Sequence, residues 1–340
     1  MSSPSDHHLF DAGNVVLQSG RTFPGMHIAY TTYGTLNADR SNVIVYPTSY
    51  SAQHHDTQWL VRDGGILDTS RYFVVIPNLF GSGLSSSPSN TPWPLVGTRY
   101  PDITYHDAVR VQQRLLAERF GIERVKLVYG WSMGGMQAYH WASIFGDQVE
   151  RIAVVCGAAK CSPHNAVFLE AVRATLTADP AYQDGVFRER PVRGFRAMAR
   201  LYATMALSQA FYREELWRGI GYSSLEDFLV RNWEANYARR DPADLLAQLY
   251  TWQHGDISDE PRYRGDLAAA LRGISARVML LPGDHDQYFR VEDNRRELAH
   301  LRHGELRPIP SLWGHRAGNP LANADDERFI RTAVQELLED

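Results

Sequence analysis

One stretch constrains this chain more than any other: Leu127-Val-Tyr-Gly-Trp-Ser-Met-Gly-Gly-Met-Gln137. It reads as a short buried strand that turns straight into a helix, with Gly130-Trp131-Ser132-Met133-Gly134 as the corner. A G-x-S-x-G corner of this kind lifts a serine hydroxyl off the end of a sheet on a strained turn. Gly130 and Gly134 remove the Cβ atoms that would clash where strand and helix meet so tightly. Ser132 then stands at a helix N-terminus, where unpaired N–H groups and the dipole favour negative charge. The N–H of Met133 is in position to donate to an oxyanion. The pattern is short, and the same letters also begin glycine-rich helices that do no chemistry. What decides is whether the rest of the chain supplies a base and an acid in the right order.

At 340 residues the chain suits one large domain or a domain with an insertion. A net charge of −4 without a long Lys/Arg run argues against nucleic acid as a partner. Cys156 and Cys161 cannot build a disulfide framework, which fits a reducing, cytoplasmic compartment. Met1–His8 lacks the basic and apolar regions of a signal peptide, and no run of about 18 apolar residues suggests a membrane span.

Residues 1–13 read as a loose lead-in, followed by strands at Asn14–Gln18 and Met26–Tyr33. Asn42–Tyr46, Tyr72–Pro77, Val125–Tyr129 and Ile152–Cys156 are β-branched or apolar runs of the kind buried on both faces of a parallel sheet. Thr104–Phe120 reads as a helix with Asp102 as N-cap and Gly121 as stop. The Gly/Ser/Pro-rich loop Asn78–Pro92 reads as surface of the site. Ala166–Thr177, Phe195–Leu207, Ser224–Trp233 and Pro242–Trp252 all have helical spacing, with no strand among them. The sheet resumes at Arg277–Pro282, followed by a helix at Val291–His300, a last strand at Glu305–Ile309 and a closing helix at Ala324–Leu338. The expected class is α/β, a mostly parallel, doubly wound sheet. Residues 1–159 and 274–340 form its core, and residues 160–273 form an all-helical lid insertion.

Gly283-Asp-His-Asp-Gln-Tyr-Phe289 follows one late strand, and Pro310-Ser-Leu-Trp-Gly-His-Arg316 follows the last. The chain therefore offers Ser132, then an acid, then His315, each just past a strand's carboxyl end. Ser…Asp/Glu…His is the chain order of the α/β-hydrolase fold. Serine is a poor nucleophile at its own pKa, and a histidine, ordinarily titrating near about 6.5, can take its proton at neutral pH. Asp284 and Asp286 both compete to orient His315. The second oxyanion N–H is expected from the loop Pro47–Asp56, with Ser49 first and Tyr50 next. His54, His55 and Asp56 resemble metal ligands, but no further ligand cluster follows at a recognisable spacing, so they read as a polar loop near the site. Cys156 reads as a small core residue. With neither a Walker A nor a G-x-G-x-x-G pattern, no cofactor is expected.

These residues resemble the homoserine O-acetyltransferase family, a branch of the α/β hydrolases, over nearly the whole chain. Ile103-Thr-Tyr-His-Asp-Ala-Val109, Gly121-Ile122, Gly130–Gln137 and Trp141-Ala142 carry the resemblance in the core. Ala235-Asn-Tyr237, Asp241 and His254-Gly-Asp256 carry it in the insertion. The resemblance implies an acyl-serine intermediate, a helical lid over the serine and a homodimer through that lid. It favours Asp286 as the acid, from its Asp-x-Tyr-Phe context. Family members acting on homoserine carry an aspartate after the catalytic histidine to bind the amino group. Here Arg316 stands in that place, and an arginine repels an ammonium group. Trp131 also adds bulk beside the serine, and the loop Leu79–Pro92 resembles a divergent subgroup that contains ester hydrolases. The expectation is a serine hydrolase of short acyl, foremost acetyl, esters. The alternative is an acyl-CoA-dependent O-acyltransferase using a hydroxyl other than homoserine's. Tyr50, Trp131 and Arg316 are the substrate-binding candidates. Arg316 either meets a carboxylate or phosphate of the substrate or is a surface arginine in a salt bridge.

Overall fold

Strands that are apolar at every position need cover on both faces, and here two separate cores provide it. The computed structural model describes residues 6–92, 95 and 99–339. The strands are β1 (His8–Val16), β2 (Thr22–Tyr33), β3 (Val43–Val45), β4 (Phe73–Pro77), β5 (Leu127–Trp131), β6 (Arg151–Val155), β7 (Tyr182–Gln183), β8 (Val186–Phe187), β9 (Arg277–Leu281) and β10 (Gly304–Leu306). All but β7 and β8 form one sheet in the order β1-β2-β4-β3-β5-β6-β9-β10. β2 pairs antiparallel with both β1 and β4, and the remaining neighbours are parallel.

Successive residues on each inner strand serve opposite cores, as a period of two requires. Val43, Val45, Val128, Ile152, Val154, Val278 and Leu280 face one core, which includes the helices Tyr105–Phe120 and Met133–Phe145 and buried residues of the segment between β6 and β9. Ile44, Leu127, Tyr129, Ala153, Val155, Met279 and Leu281 face the other, closed by Ile330, Val334 and Leu337 of the helix Ala324–Glu339. The chain leaves β3 for β4 on one side and then crosses to β5 on the other. The carboxyl ends of β3 and β5 therefore flank the crevice where such sheets place their ligands.

Several expectations change. The lead-in is strand from His8 onward, and residues 1–5 of it lie outside the described residues. β1 hid from the pattern because it is an edge strand, mostly exposed, whose register shifts twice around Gly13. Thr104, not Asp102, caps the following helix: its hydroxyl accepts from the Asp107 N–H, and the Asp107 carboxylate accepts from the Thr104 N–H. The segment between β6 and β9 is not purely helical. Asp184 and Gly185, both at positive φ, turn β7 into β8 in a small hairpin. Four serines of the 78–92 loop, Ser82, Ser85, Ser86 and Ser87, are not surface but buried. The Ser85 and Ser86 hydroxyls accept from the Ala29 and His27 N–H groups of β2. Among the described residues no helix is long and apolar enough to cross a membrane.

Candidate active site

The corner at Ser132 is fixed by backbone. Ser132 has φ 59° and ψ −125°, a conformation that costs a non-glycine residue about 1–3 kcal/mol. Its N–H donates to the Val155 carbonyl at 2.8 Å, and its carbonyl accepts from Met136 N–H at 3.2 Å. A Cβ on Gly130 would stand 2.0 Å from the Gly134 carbonyl oxygen, and one on Gly134 would stand 2.8 Å from that of Pro47. Strand, helix and the loop after β3 therefore meet with no room for side chains at either glycine.

Ser49 and Gln137 pin that loop to the corner. The Ser49 hydroxyl donates to the Trp131 carbonyl and accepts from the Gly134 N–H. Gln137 donates to the Thr48 carbonyl at 2.9 Å and is itself held by Gln112, which accepts from the Trp141 indole. Among the described residues the N–H groups of Met133, Ser49 and Tyr50 find no acceptor. Unpaired backbone donors of this kind are what a developing negative charge requires. Sequence reasoning missed the Gln137–Gln112–Trp141 chain, whose signal is a pair of glutamines on apolar helix faces. It also missed the contacts that the segment between β6 and β9 makes with the loop: Gln248 accepts from Ser51 N–H at 2.8 Å, Arg240 donates to the Ser51 carbonyl at 2.6 Å, and Arg239 and Arg240 both pair with Asp56.

Side chains fix the other half of the site. His315 lies in a short turn, Gly314–Gly318, beyond β10, and its Nδ1 sits 2.7 Å from Asp286 Oδ2. The other Asp286 oxygen accepts from the N–H groups of Tyr288 at 2.7 Å and Phe289 at 3.2 Å. Asp286 is fully buried against His315, whereas Asp284 is exposed. With Nδ1–H given to a carboxylate, Nε2 keeps its lone pair. Tyr288 packs edge-on against the imidazole at 4.7 Å, Phe289 lies 5.6 Å away, and Trp131 stacks on it at 5.2 Å. The Trp131 indole N–H also donates to the His315 carbonyl at 3.1 Å. Trp131 is thus committed to the histidine. Tyr50 stacks on Tyr202 of the helix Val192–Ala206 at 5.6 Å, with its hydroxyl buried and, among the described residues, unpartnered. Arg316 lies over the ring of Trp233 and pairs with no carboxylate among the described residues, so it is not a surface salt bridge.

The histidines after β3 have another role. Asp6, His54 and His55 come close enough to suggest a metal site. The Asn78 side chain fixes the His54 tautomer, however: its oxygen accepts from His54 N–H, and its nitrogen donates to the Ala29 carbonyl and lies 3.3 Å from His54 Nδ1. Nδ1 is therefore an acceptor, Nε2 carries the proton facing Asp6 at 3.3 Å, and neither nitrogen has a lone pair left for a metal. Cys156 is fully buried beside Asp286, and burial raises its thiol pKa well above the usual range, so it stays protonated.

Known proteins resemble this chain. The family profile described as alpha/beta hydrolase fold matches residues 64–317. An ethyl acetate hydrolase of Pseudomonas veronii is 37% identical over 310 residues, covering 90% of this chain and 88% of that protein. A homoserine O-acetyltransferase of Zymomonas mobilis is 31% identical, covering 85% of this chain and 84% of its own. The crystal structure of an acetylester hydrolase from Corynebacterium glutamicum superposes with a TM-score of 0.94 at 35% identity, covering 98% of this chain and 96% of its own. The fold, the serine corner and the buried histidine–carboxylate pair agree with these likenesses: the chain belongs to the α/β-hydrolase family.

Proposed function

We propose that the protein is a serine esterase that hydrolyses short acyl esters, foremost acetyl esters. The observation that carries this reading is the buried His315–Asp286 pair at 2.7 Å, which follows β9 and β10 at the same carboxyl edge of the sheet at which the Ser132 corner follows β5. Ser132 Oγ attacks the ester carbonyl and passes its proton to His315 Nε2. Asp286 keeps the imidazole in the required tautomer and stabilises the imidazolium. The negative oxygen of the tetrahedral intermediate is held by the N–H groups of Met133 and Ser49, with Tyr50 as the neighbouring donor. His315 returns the proton to the leaving alkoxide, the alcohol departs, and an acyl-serine remains. A water then gives a proton to His315 and attacks the acyl carbon; as the second intermediate collapses, His315 returns that proton to Ser132 Oγ, freeing the acid and the serine hydroxyl. Residues 160–273 act as a lid that excludes bulk water. Its hold on the loop through Arg239, Arg240 and Gln248 supports that role.

The acetyl preference draws on the named activities of the Pseudomonas and Corynebacterium relatives and on the enclosure of the site, where Ser132 and His315 are 3% and 5% exposed. The likeness to a homoserine O-acetyltransferase keeps a second reading in view, in which an alcohol instead of water takes the acyl group. Purified protein given p-nitrophenyl acetate or ethyl acetate should turn over without added alcohol, and Ser132→Ala should abolish turnover and covalent labelling by a fluorophosphonate. Activity surviving in S132A would reject the mechanism. Release of CoA from acetyl-CoA that depends on an added hydroxy compound, with negligible hydrolysis, would favour the transferase.

A further inference from the structure

Several arginines of the segment between β6 and β9 pair with carboxylates: Arg196 and Arg200 share Glu234, Arg231 has Asp227, and Arg239 and Arg240 share Asp56. Arg316 has none. Its guanidinium lies 4.6 Å from the centre of the Trp233 ring. Its side chain finds one hydrogen-bond acceptor among the described residues, the Asn232 amide oxygen. That oxygen, turned to face its donors, accepts from Arg316 Nη2 at 2.9 Å and from the Trp233 indole at 3.3 Å. Ionisable groups around the guanidinium include the phenols of Tyr212, Tyr222, Tyr237 and Tyr288. Burial lowers its pKa from the usual arginine value, the sign expected for a desolvated cation without an anion.

The location adds a second, independent observation. Asn232 and Trp233 both lie on Leu229–Glu234, a stretch of π-helix, a rare geometry that recurs at functional sites. Arg316 follows His315 directly, and Tyr288, one of its four phenol neighbours, packs against the His315 ring. A guanidinium has five N–H donors in a planar fork, and one amide oxygen leaves most of them unused. A carboxylate matches that fork with two parallel hydrogen bonds and supplies the missing charge. In the esterase reading His315 hands its proton to the departing alcohol, so an anion held by Arg316, which shares Tyr288 with His315, would belong to the alcohol side of the ester.

We propose that Arg316 is a specificity residue that binds a carboxylate on the alcohol moiety, so that the preferred substrates are short acyl esters of small hydroxy acids. This rests on the esterase reading given above. The reaction is ordinary hydrolysis: the acyl C–O bond breaks, a C–O bond to water oxygen forms, and a short acid and a hydroxy acid leave with no co-reactant but water.

The test compares kcat/KM for 3-acetoxypropanoate, its neutral methyl ester, and monoethyl succinate, whose carboxylate is on the acyl side. A charge-assisted bidentate contact predicts a preference of roughly tenfold or more for 3-acetoxypropanoate over its methyl ester, carried mainly by KM. Arg316→Gln should lower that ratio by about the same factor, and Arg316→Lys should recover part of it. In the unaltered protein, 3-hydroxypropanoate should inhibit p-nitrophenyl acetate hydrolysis competitively, a measurement that does not depend on any variant folding. Equal turnover of charged and neutral esters, a preference for monoethyl succinate, or an R316Q variant that slows both esters in proportion would each overturn the assignment while leaving the esterase reading intact. Absence of any Ser132-dependent hydrolysis would overturn both.

Discussion

The two halves of the site are built from different materials. On the nucleophile side, position is set by backbone: a serine at positive φ, two glycines whose missing Cβ atoms let chain segments touch, and a Ser49 hydroxyl clamped between two main-chain groups. On the base side, position is set by side chains: Asp286, Tyr288, Phe289 and Trp131 surround the imidazole of His315. Backbone contacts have no slack, whereas side-chain contacts can be weakened one at a time. The first half should therefore fail as a unit and the second by degrees.

The sharpest way to break this contrast is at Gly130. Alanine there puts a methyl group 2.0 Å from the Gly134 carbonyl oxygen, an overlap that only a shift of the corner can relieve. Gly130→Ala is expected to cost more than about 4 kcal/mol of stability and to lose fluorophosphonate labelling altogether. A variant that melts within a few degrees of the wild type and still labels would show that the corner has slack. Asp286→Asn tests the other half. It keeps the shape but lets the imidazole take the wrong tautomer, for which a drop of about 10⁴ in kcat is the precedent. The fold and the binding of uncharged inhibitors should survive. A loss below tenfold would mean that the aromatic rings, not the carboxylate, hold His315.

Glu297 joins the halves. It follows the Asp286 loop on the helix Val291–Leu298 and accepts from Tyr139 OH of the nucleophile helix at 2.9 Å, from Ala159 N–H at 2.8 Å and from Asn294 at 2.9 Å. Burial raises its pKa from the model-compound value of 4.5 to about 7. A carboxyl group whose folded pKa lies above its unfolded one contributes stability that is complete below the unfolded value and lost as pH rises through the folded one. Between pH 5 and 8 this group should therefore remove on the order of 2 kcal/mol. Chemical denaturation across that range should show the decline in the wild type and a flatter profile in Glu297→Gln. Equal slopes would place the titration elsewhere, with Asp244, also raised to about 7 by burial, the next group to replace.

The contrast also explains what the sequence could say in advance. Gly130, Ser132 and Gly134 are legible because backbone geometry admits few residue types, so a short motif carries real structural content. Strands β3 to β6 and β9 are legible because burial on both faces writes itself as an unbroken apolar run. The base side is less so. Chain order suggested an acid near residue 285, but the distinction between Asp284 and Asp286 lies in which carboxylate a turn buries. Residue type alone could not predict that Trp131, beside the nucleophile in sequence, would serve the histidine, or that Arg316 would lack a carboxylate. Both depend on chain segments more than 80 residues apart.

Trp131 offers the finest test because it belongs to both halves: its backbone ends β5, and its indole stacks on His315 and donates to the His315 carbonyl at 3.1 Å. Trp131→Phe removes the indole N–H and keeps an aromatic face against the imidazole. The lost hydrogen bond is one that holds the turn Gly314–Gly318 and touches no substrate atom, so its effect should fall on the orientation of the base. A net hydrogen bond of about 1 kcal/mol translates to a decrease in kcat of roughly five- to tenfold, with KM for ethyl acetate nearly unchanged. Trp131→Ala, which also removes the stacked face, should lose more kcat and again little KM. If either variant instead raises KM or admits longer acyl chains while kcat holds, Trp131 is a wall of the acyl pocket. The indole would then be shaping the substrate from the nucleophile's half of the site, not steadying the base in the other.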